Sequence, residues 1–262
     1  MDMKIAQYLP PLPSRPPQMR PADRSEQPAL PGDPKDCSVF SGKTETPPET
    51  EVAAPSAADE TSAAWKNALN TIDRYKGSFL VLGFGSKRQY KEPEVVQRAL
   101  DQLVEGLDAQ YGKSRWLAVF GGDPYKPEAP DVAAMVKYLQ DQHGVPVMAI
   151  QSDKVKEWGG VDQHIDHVHY VPTTYQDSKI VWGGFVDGKP AGPTAAYLGE
   201  DRVGGKNPRL KGVIALGGGE IAGQEALFAR EKGVPVHYIR AEARLDGPGG
   251  NYGAIDGMLG PS

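Results

Sequence analysis

Three short glycine-rich segments are the places where this sequence could do chemistry. Each follows a run of apolar residues, and the glycines are Gly83 and Gly85, Gly121 and Gly122, and Gly217, Gly218 and Gly219. Glycine lets backbone N–H groups approach a phosphate without a Cβ in the way, and the N-terminus of a following helix adds partial positive charge. The three segments together predict a binding site for a phosphate or a nucleotide. Tight turns between strands and helices are the alternative reason for the same glycines.

Polar and charged residues follow the first two of these segments. Ser86, Lys87 and Arg88 come directly after the first, and Asp123 comes directly after the second. A hydroxyl group and two cations could contact phosphate oxygens, with arginine binding in a bidentate manner. Asp123 could line the ligand cleft, although nearby prolines favour a rigid loop there.

The third glycine segment leads into two carboxylates, Glu220 and Glu225, with Ala222 and Gly223 between them as further candidates for ligand binding. A nearby carboxylate stabilises the positive charge that develops when an N-glycosidic bond breaks. Glu225 and Glu220 are therefore the candidate catalytic residues. The alternative is that an acidic residue at this position only interacts with the dipole of a helix N-terminus.

A histidine-rich stretch forms a second group of candidates. His164, His167 and His169 lie close to Asp162 and Asp166 in the sequence. Imidazoles together with a carboxylate can form a zinc or iron site, and on a strand His167 and His169 would share one face. The favoured interpretation is a polar strand entry, so we expect no metal and no other cofactor.

Alternating apolar strands and amphipathic helices would position these residues. The pattern predicts strands at 78–82, 116–120, 145–150, 213–216 and 234–239, one or two more within 166–186, helices near 65–72, from Pro93, from Asp131 and at 224–231, and a long loop at 187–209. Continuous apolar strands that alternate with helices are typical of a parallel sheet covered on both faces. We expect an α/β fold, a Rossmann-like three-layer sandwich with a mostly parallel sheet of five to seven strands.

The first 60 residues differ in composition from the rest. They contain 12 of the 24 prolines but two of the 31 glycines, and 10 acidic against 6 basic residues. Closely spaced prolines and few apolar side chains predict a disordered, acidic tail at 1–60 and one folded domain at 61–262. Pro10 and Pro13 have the spacing of polyproline ligands. The tail is thus either a solvated leader or a segment for docking a protein partner or for secretion.

Composition also argues against several classes of protein. Residues 61–262 contain 23 basic and 24 acidic side chains, so they lack the positive charge of a non-specific nucleic-acid binder. No apolar run reaches the ~18 residues of a membrane-spanning helix. The single cysteine, Cys37, excludes an intramolecular disulfide. The first residues lack a secretory signal pattern, so we expect a cytoplasmic protein, with export that needs no cleaved signal peptide as the alternative.

The order of these motifs resembles the SLOG superfamily, which includes the Lonely Guy nucleoside-monophosphate phosphoribohydrolases. That family has a strand ending in Gly-Ser, a strand ending in Gly-Gly, and a later P-G-G-x-G-T-x-x-E loop and helix. Gly85-Ser86, Gly121-Gly122 and Gly218-Gly219 match these glycine positions, and Glu225 then matches the acidic one. The resemblance covers roughly residues 78–240.

The resemblance implies a nucleotide-binding fold and hydrolysis of an N-glycosidic bond. Ser86, Arg88 and the amides of Gly218 and Gly219 would hold a 5′-phosphate, and Glu225 or Glu220 would stabilise the oxocarbenium-like state. The chain departs from the family at Gly217, Ile221 and Ala222, where the family has Pro, Gly and Thr.

Three functions follow from these observations. One is an enzyme acting on a nucleotide or an ADP-ribose-like molecule, and a second is a non-catalytic sensor or binding module on the same scaffold. The third is a secreted effector whose tail is the targeting segment. The expected partner is a small nucleotide or phosphorylated ligand, without nucleic acid or membrane, and the chain could form a homodimer.

Overall fold

The computed structural model describes residues 66–85, 88–121, 125–158, 165–172, 183–199, 203, 209–244 and 252–259. The tail predicted at 1–60 lies outside the described residues. In the described part of the chain, no helix is both long enough and apolar enough to cross a membrane.

Ten strands and six α-helices lie within the described residues, and residue 203 is also helical. The strands are β1 (Gly77–Gly83), β2 (Gln89–Tyr90), β3 (Trp116–Phe120), β4 (Val147–Ser152), β5 (His167–Val171), β6 (Gly184–Val186), β7 (Lys189–Ala191), β8 (Leu210–Leu216), β9 (Val236–Ile239) and β10 (Ala243–Arg244). The helices are α1 (66–72), α2 (Pro93–Tyr111), α3 (Val132–His143), α4 (Pro193–Leu198), α5 (Glu220–Glu231) and α6 (Ala254–Leu259), and a 3₁₀ helix spans Asp153–Trp158.

Six of the strands form one parallel sheet in the order β5-β4-β3-β1-β8-β9. Two small antiparallel pairs, β2 with β10 and β6 with β7, lie outside this sheet. Helices cover both faces of the sheet, so the predicted Rossmann-like sandwich is confirmed.

The two faces of the sheet have separate apolar cores because successive strand residues point to opposite sides. From β1, Phe79 and Val81 pack in the core that contains α2 and α3. Leu80 and Leu82 pack in the other core, which contains residues of α1, α4, α5 and α6. The buried positions of α2 are the predicted apolar stripe: Val96, Ala99, Leu100, Leu103, Val104 and Leu107.

Two predictions about elements are wrong. The segment 187–209 was predicted as a loop, but it contains β7 and α4. Pro193 occupies the first turn of α4, where a residue without an N–H group is tolerated, so this proline begins a helix rather than a loop. The helix predicted at 224–231 begins one turn earlier, at Glu220, because its N-cap is Gly219, which has no side chain to mark a helix start. The other predicted strand ends agree to within three residues.

Candidate functional site

A cleft of about 440 Å³ opens at the carboxyl ends of the central strands. The chain passes from β1 through β3, β4 and β5 on one side of the sheet and then forms β8 and β9 on the other side of β1. Ligands of open α/β sheets bind beyond the strand ends at such a reversal of strand order. The cleft is lined by glycines of all three predicted segments, namely Gly83, Gly85, Gly121 and Gly219.

The third glycine segment forms the turn from β8 into α5. Gly217 and Gly218 have φ angles of 61° and 142°. A Cβ at Gly218 would lie 2.7 Å from the Cβ of Ala222, so this turn requires glycine. Gly219 is the N-cap of α5 and has no side chain that could bond to the first turn. The backbone N–H groups of the first turn of α5 therefore lie at the cleft and have no acceptor within the helix.

Backbone N–H groups at the N-terminus of α3, which also lies near the cleft, already have acceptors within the protein. Asp131 caps this helix by accepting a 3.2 Å hydrogen bond from the backbone N–H of Ala134. The backbone N–H of Val132 donates to the carbonyl oxygen of Phe84 at 2.8 Å. Of the two helix starts at the cleft, α5 is thus the one whose backbone donors are suited to an external anion.

Glu225 lines the cleft and is 97% buried, since only 3% of the residue is exposed. Its Oε1 accepts hydrogen bonds from the hydroxyl groups of Thr194 at 2.5 Å and Tyr197 at 2.7 Å. Burial raises the pKa of Glu225 from 4.5 to about 7, although these two hydrogen bonds act to lower it. A buried carboxyl group with such a pKa beside a cleft is a feature of functional sites.

Thr194 and Tyr197 are held by α4 and by the β6–β7 hairpin. Both residues are buried in α4, one helical turn apart, so they face Glu225 together. The backbone N–H of Gly184, the first residue of β6, donates to the hydroxyl oxygen of Thr194 at 2.7 Å. Burial, followed by the charge of Glu225, raises the pKa of Tyr197 well above 10, so this side chain stays a hydrogen-bond donor.

These two hydroxyl residues were missed by the sequence analysis, because the segment 187–209 was predicted as a loop. A local signal was present: Pro193 is followed by five residues without glycine, and Thr194 and Tyr197 have the i, i+3 spacing of one helix face. Nothing in that pattern indicates contact with Glu225.

The remaining predicted site residues lie partly at the cleft and partly elsewhere. Glu220 and Ala222 line the cleft with Gly219, whereas Gly223 contacts α6, since a Cβ there would lie 2.5 Å from Sδ of Met258. Arg88 is exposed, and its backbone N–H donates to the carbonyl oxygen of Gly85 at 2.8 Å. Four candidates lie outside the described residues: Ser86, Lys87, Gly122 and Asp123.

The histidines of β5 lie at the sheet edge, with β4 and β3 between them and β1. Nε2 of His167 is 3.0 Å from the hydroxyl oxygen of Tyr75, and Nε2 of His169 is 3.2 Å from that of Thr71. The two imidazoles therefore share a face, as predicted, and bond to α1 and the turn after it. Within the described residues no group of three His, Cys, Asp or Glu side chains could hold a metal ion. His164 lies outside them.

The C-terminal segment supports the third glycine segment. The backbone N–H of Ile255 donates to the carbonyl oxygen of Gly218 at 3.4 Å. Asp256 accepts hydrogen bonds from the guanidinium of Arg240 at 2.9 and 3.0 Å and from the hydroxyl of Tyr238 at 2.9 Å. Residues 252–259 thus pack against the turn that precedes α5.

Fold and site together define an α/β protein with a parallel sheet and an open cleft at the carboxyl ends of its strands. No family model, curated protein or solved structure matches this chain. The resemblance to the SLOG superfamily therefore stays a prediction.

Proposed function

We propose that the cleft binds a nucleotide or an ADP-ribose-type ligand, with a phosphate group at the N-terminus of α5. The observation that supports this most directly is the uncapped first turn of α5, which opens into the cleft beside glycines at the ends of β1 and β3. Backbone N–H groups and the helix dipole together favour an anion at such a position. The resemblance to the SLOG superfamily points to the same class of ligand.

The rest of the cleft suits the uncharged part of such a ligand. Apolar side chains line it: Val81, Leu82, Val132 and Ile221. Its volume of about 440 Å³ lies within the range of ~300–1,000 Å³ that is usual for small-molecule sites. A sugar and a base would pack against these apolar side chains while the phosphate meets the start of α5.

A second candidate function is hydrolysis of the N-glycosidic bond of the bound nucleotide. Glu225 favours it, because a buried carboxyl group at the cleft could stabilise the positive charge on the sugar as the base leaves and water adds. Ile221 and Ala222 favour a binding module instead, since the resembled family has Gly and Thr at these positions.

Thermal unfolding of the full chain with added ligands tests the binding proposal. Nucleoside monophosphates, NAD and ADP-ribose are the ligands, and inorganic phosphate and a nucleoside without phosphate are the comparisons. A ligand at 100 times its Kd adds ~2.7 kcal/mol of apparent stability, which gives a clear rise in Tm. No rise with any of the nucleotides would overturn the proposal.

A matched pair of variants places the bound ligand. Ile221→Glu adds a carboxylate at the start of α5, at a position that is 41% exposed, whereas Val186→Glu adds one at a 48% exposed position on the β6–β7 hairpin. The first variant should lose the ligand-induced rise in Tm through charge repulsion, and the second should keep it. Equal behaviour of both variants would place the ligand elsewhere.

Release of free base from the bound nucleotide distinguishes the enzyme from the binding module. Hydrolysis requires release by the wild-type protein and its loss in Glu225→Gln. Binding without release by the wild-type protein would identify a sensor or binding module.

A further inference from the structure

Both hydroxyl donors that contact Glu225 meet the same oxygen. Thr194 and Tyr197 lie 2.5 and 2.7 Å from Oε1. The backbone N–H of Gly184 also donates to Oγ1 of Thr194, at 2.7 Å. Because the oxygen of an ionised carboxylate can only accept, Thr194 and Tyr197 both donate their hydroxyl protons to Oε1, and Thr194 keeps a lone pair for the N–H of Gly184.

The other carboxyl oxygen, Oε2, is in a different situation. Among the described residues, no group donates a hydrogen bond to Oε2 of Glu225. Glu225 nevertheless lines the cleft. An oxygen that already accepts two O–H groups is a poor place for a further proton, so a proton on this carboxyl group belongs on Oε2.

We propose that Thr194 and Tyr197 are positioning residues, which hold Oε1 of Glu225 and so present Oε2 to the cleft as the carboxyl atom that meets the ligand. This inference rests on the proposed function, since it specifies how the same cleft treats its ligand. Ionised Oε2 would accept a hydrogen bond from a sugar hydroxyl, or lie beside a developing positive charge on the sugar. Protonated Oε2 would donate to a ligand oxygen or nitrogen instead.

Within the part of the chain that the structure describes, the groups around Glu225 leave this carboxyl group to titrate largely by itself. From α4 the titratable group is Tyr197, and β6 contributes the uncharged N–H of Gly184. On α5 itself Glu220 is exposed at the cleft, and in α6 the carboxylate of Asp256 is paired with Arg240. Removing the hydroxyl of Tyr197 should therefore act directly on Glu225.

The experiment is a pH titration of the Glu225 carboxyl group in the full chain by carbon NMR with labelled glutamate. Tyr197→Phe removes one donor to the ionised form and keeps the ring, so the midpoint should rise by about one pH unit. Thr194→Ser keeps the hydroxyl group and should leave the midpoint close to that of the wild-type protein. An unchanged or lowered midpoint in Tyr197→Phe would overturn the proposal.

Tyr238→Phe is the matched control, because it removes a 2.9 Å hydrogen bond from a tyrosine to a different carboxylate, that of Asp256. The Glu225 midpoint should stay unchanged in this variant, and an equal rise would mean that any loss of packing moves it. Saturation of the wild-type protein with a nucleoside monophosphate should also move the midpoint. A bound ligand that leaves it unmoved would contradict the contact with Oε2.

The two proposals fail in different ways. If no nucleotide binds, the proposed function is overturned, and the titration of the free protein then decides the positioning role alone. If nucleotides bind but Tyr197→Phe leaves the midpoint unchanged, the positioning role is overturned and the proposal of nucleotide binding is kept.

Discussion

Thr194 donates a 2.5 Å hydrogen bond to Oε1 of Glu225, and this contact joins α4 to α5 across 31 positions of the sequence. Both residues are buried, with exposed fractions of 0% and 3%. Burial of an acidic side chain disfavours its ionised form. Glu225 therefore links the stability of the fold to pH.

We predict that Glu225 makes the protein less stable as the pH rises from about 4.5 to 7. Its pKa is about 7 in the folded state and ordinarily 4.5, so between these values the folded state binds a proton that the unfolded state releases. The free energy of unfolding should fall by up to about 3 kcal/mol across this window and stay low above it. Chemical denaturation at a series of pH values measures this fall.

Glu225→Gln isolates this effect, because the amide is neutral at every pH of the series. The comparison with Glu225→Gln is needed because two histidines change the stability in the opposite direction. Burial lowers the pKa of His169 and His237, so these histidines make the protein less stable as the pH falls below 6.5. Relative to the wild-type protein, the variant should become more stable as the pH rises from about 4.5 to 7, and this difference should level off above pH 7. A stability difference that does not change with pH would contradict the buried, readily protonated Glu225.

A second prediction concerns the turn before α5. Gly218→Ala should cost at least about 2 kcal/mol of stability, because the φ angle of 142° and the 2.7 Å approach to Ala222 both exclude a Cβ. Gly219→Ala is the matched control: its φ angle is −81° and no atom lies within 4 Å of an added Cβ. It should cost less than about 1 kcal/mol. Equal losses in thermal or chemical unfolding would refute this account of the turn.

The main layers of the fold could be predicted from the sequence because their signals are local. The six apolar positions of α2 repeat along one helix face, and Trp116–Phe120 forms an uninterrupted apolar strand with the predicted bounds. The helix α4 could not be predicted in the same way, since six residues give too little periodicity and its buried face is defined by Glu225, distant in the sequence.

A third prediction concerns the C-terminal segment. Arg240 holds the pKa of Asp256 below its usual 3.8 through a hydrogen bond, so the stability from this pair is present above that value and is lost as the pH falls through the folded pKa. Asp256→Asn should cost about 1 kcal/mol or less at neutral pH, because Arg240 is half exposed and solvent screens the pair. Its clearer effect should be faster hydrogen exchange at the amide of Ile255, which bonds to Gly218.

Asp141→Asn is the control for that measurement, since it removes the exposed ion pair with Lys137 on α3. Exchange at Ile255 should be unaffected in this variant. If Asp256→Asn also leaves exchange at Ile255 unchanged, Asp256 does not hold the C-terminal segment against the turn.

The candidate site was predictable in part. That residues of the three glycine segments and Glu225 line one cleft follows from topology, because the strand ends of a parallel sheet meet at one edge. Thr194 and Tyr197 could not be predicted as partners of Glu225, because hydrogen bonds between distant side chains leave no pattern in the spacing of residues. Gly223 was also predicted to bind the ligand from its place in the motif, and the structure shows that it contacts α6.

Backbone NMR during titration with a nucleoside monophosphate shows whether a phosphate group meets the start of α5. The amide signals of Glu220, Ile221 and Ala222 should shift most, because these residues form the first turn of α5 at the cleft and their N–H groups would bond to the phosphate. The same nucleoside without its phosphate should move them much less. Saturating nucleotide that leaves these three amides unshifted, or that moves amides far from the cleft instead, would contradict the account.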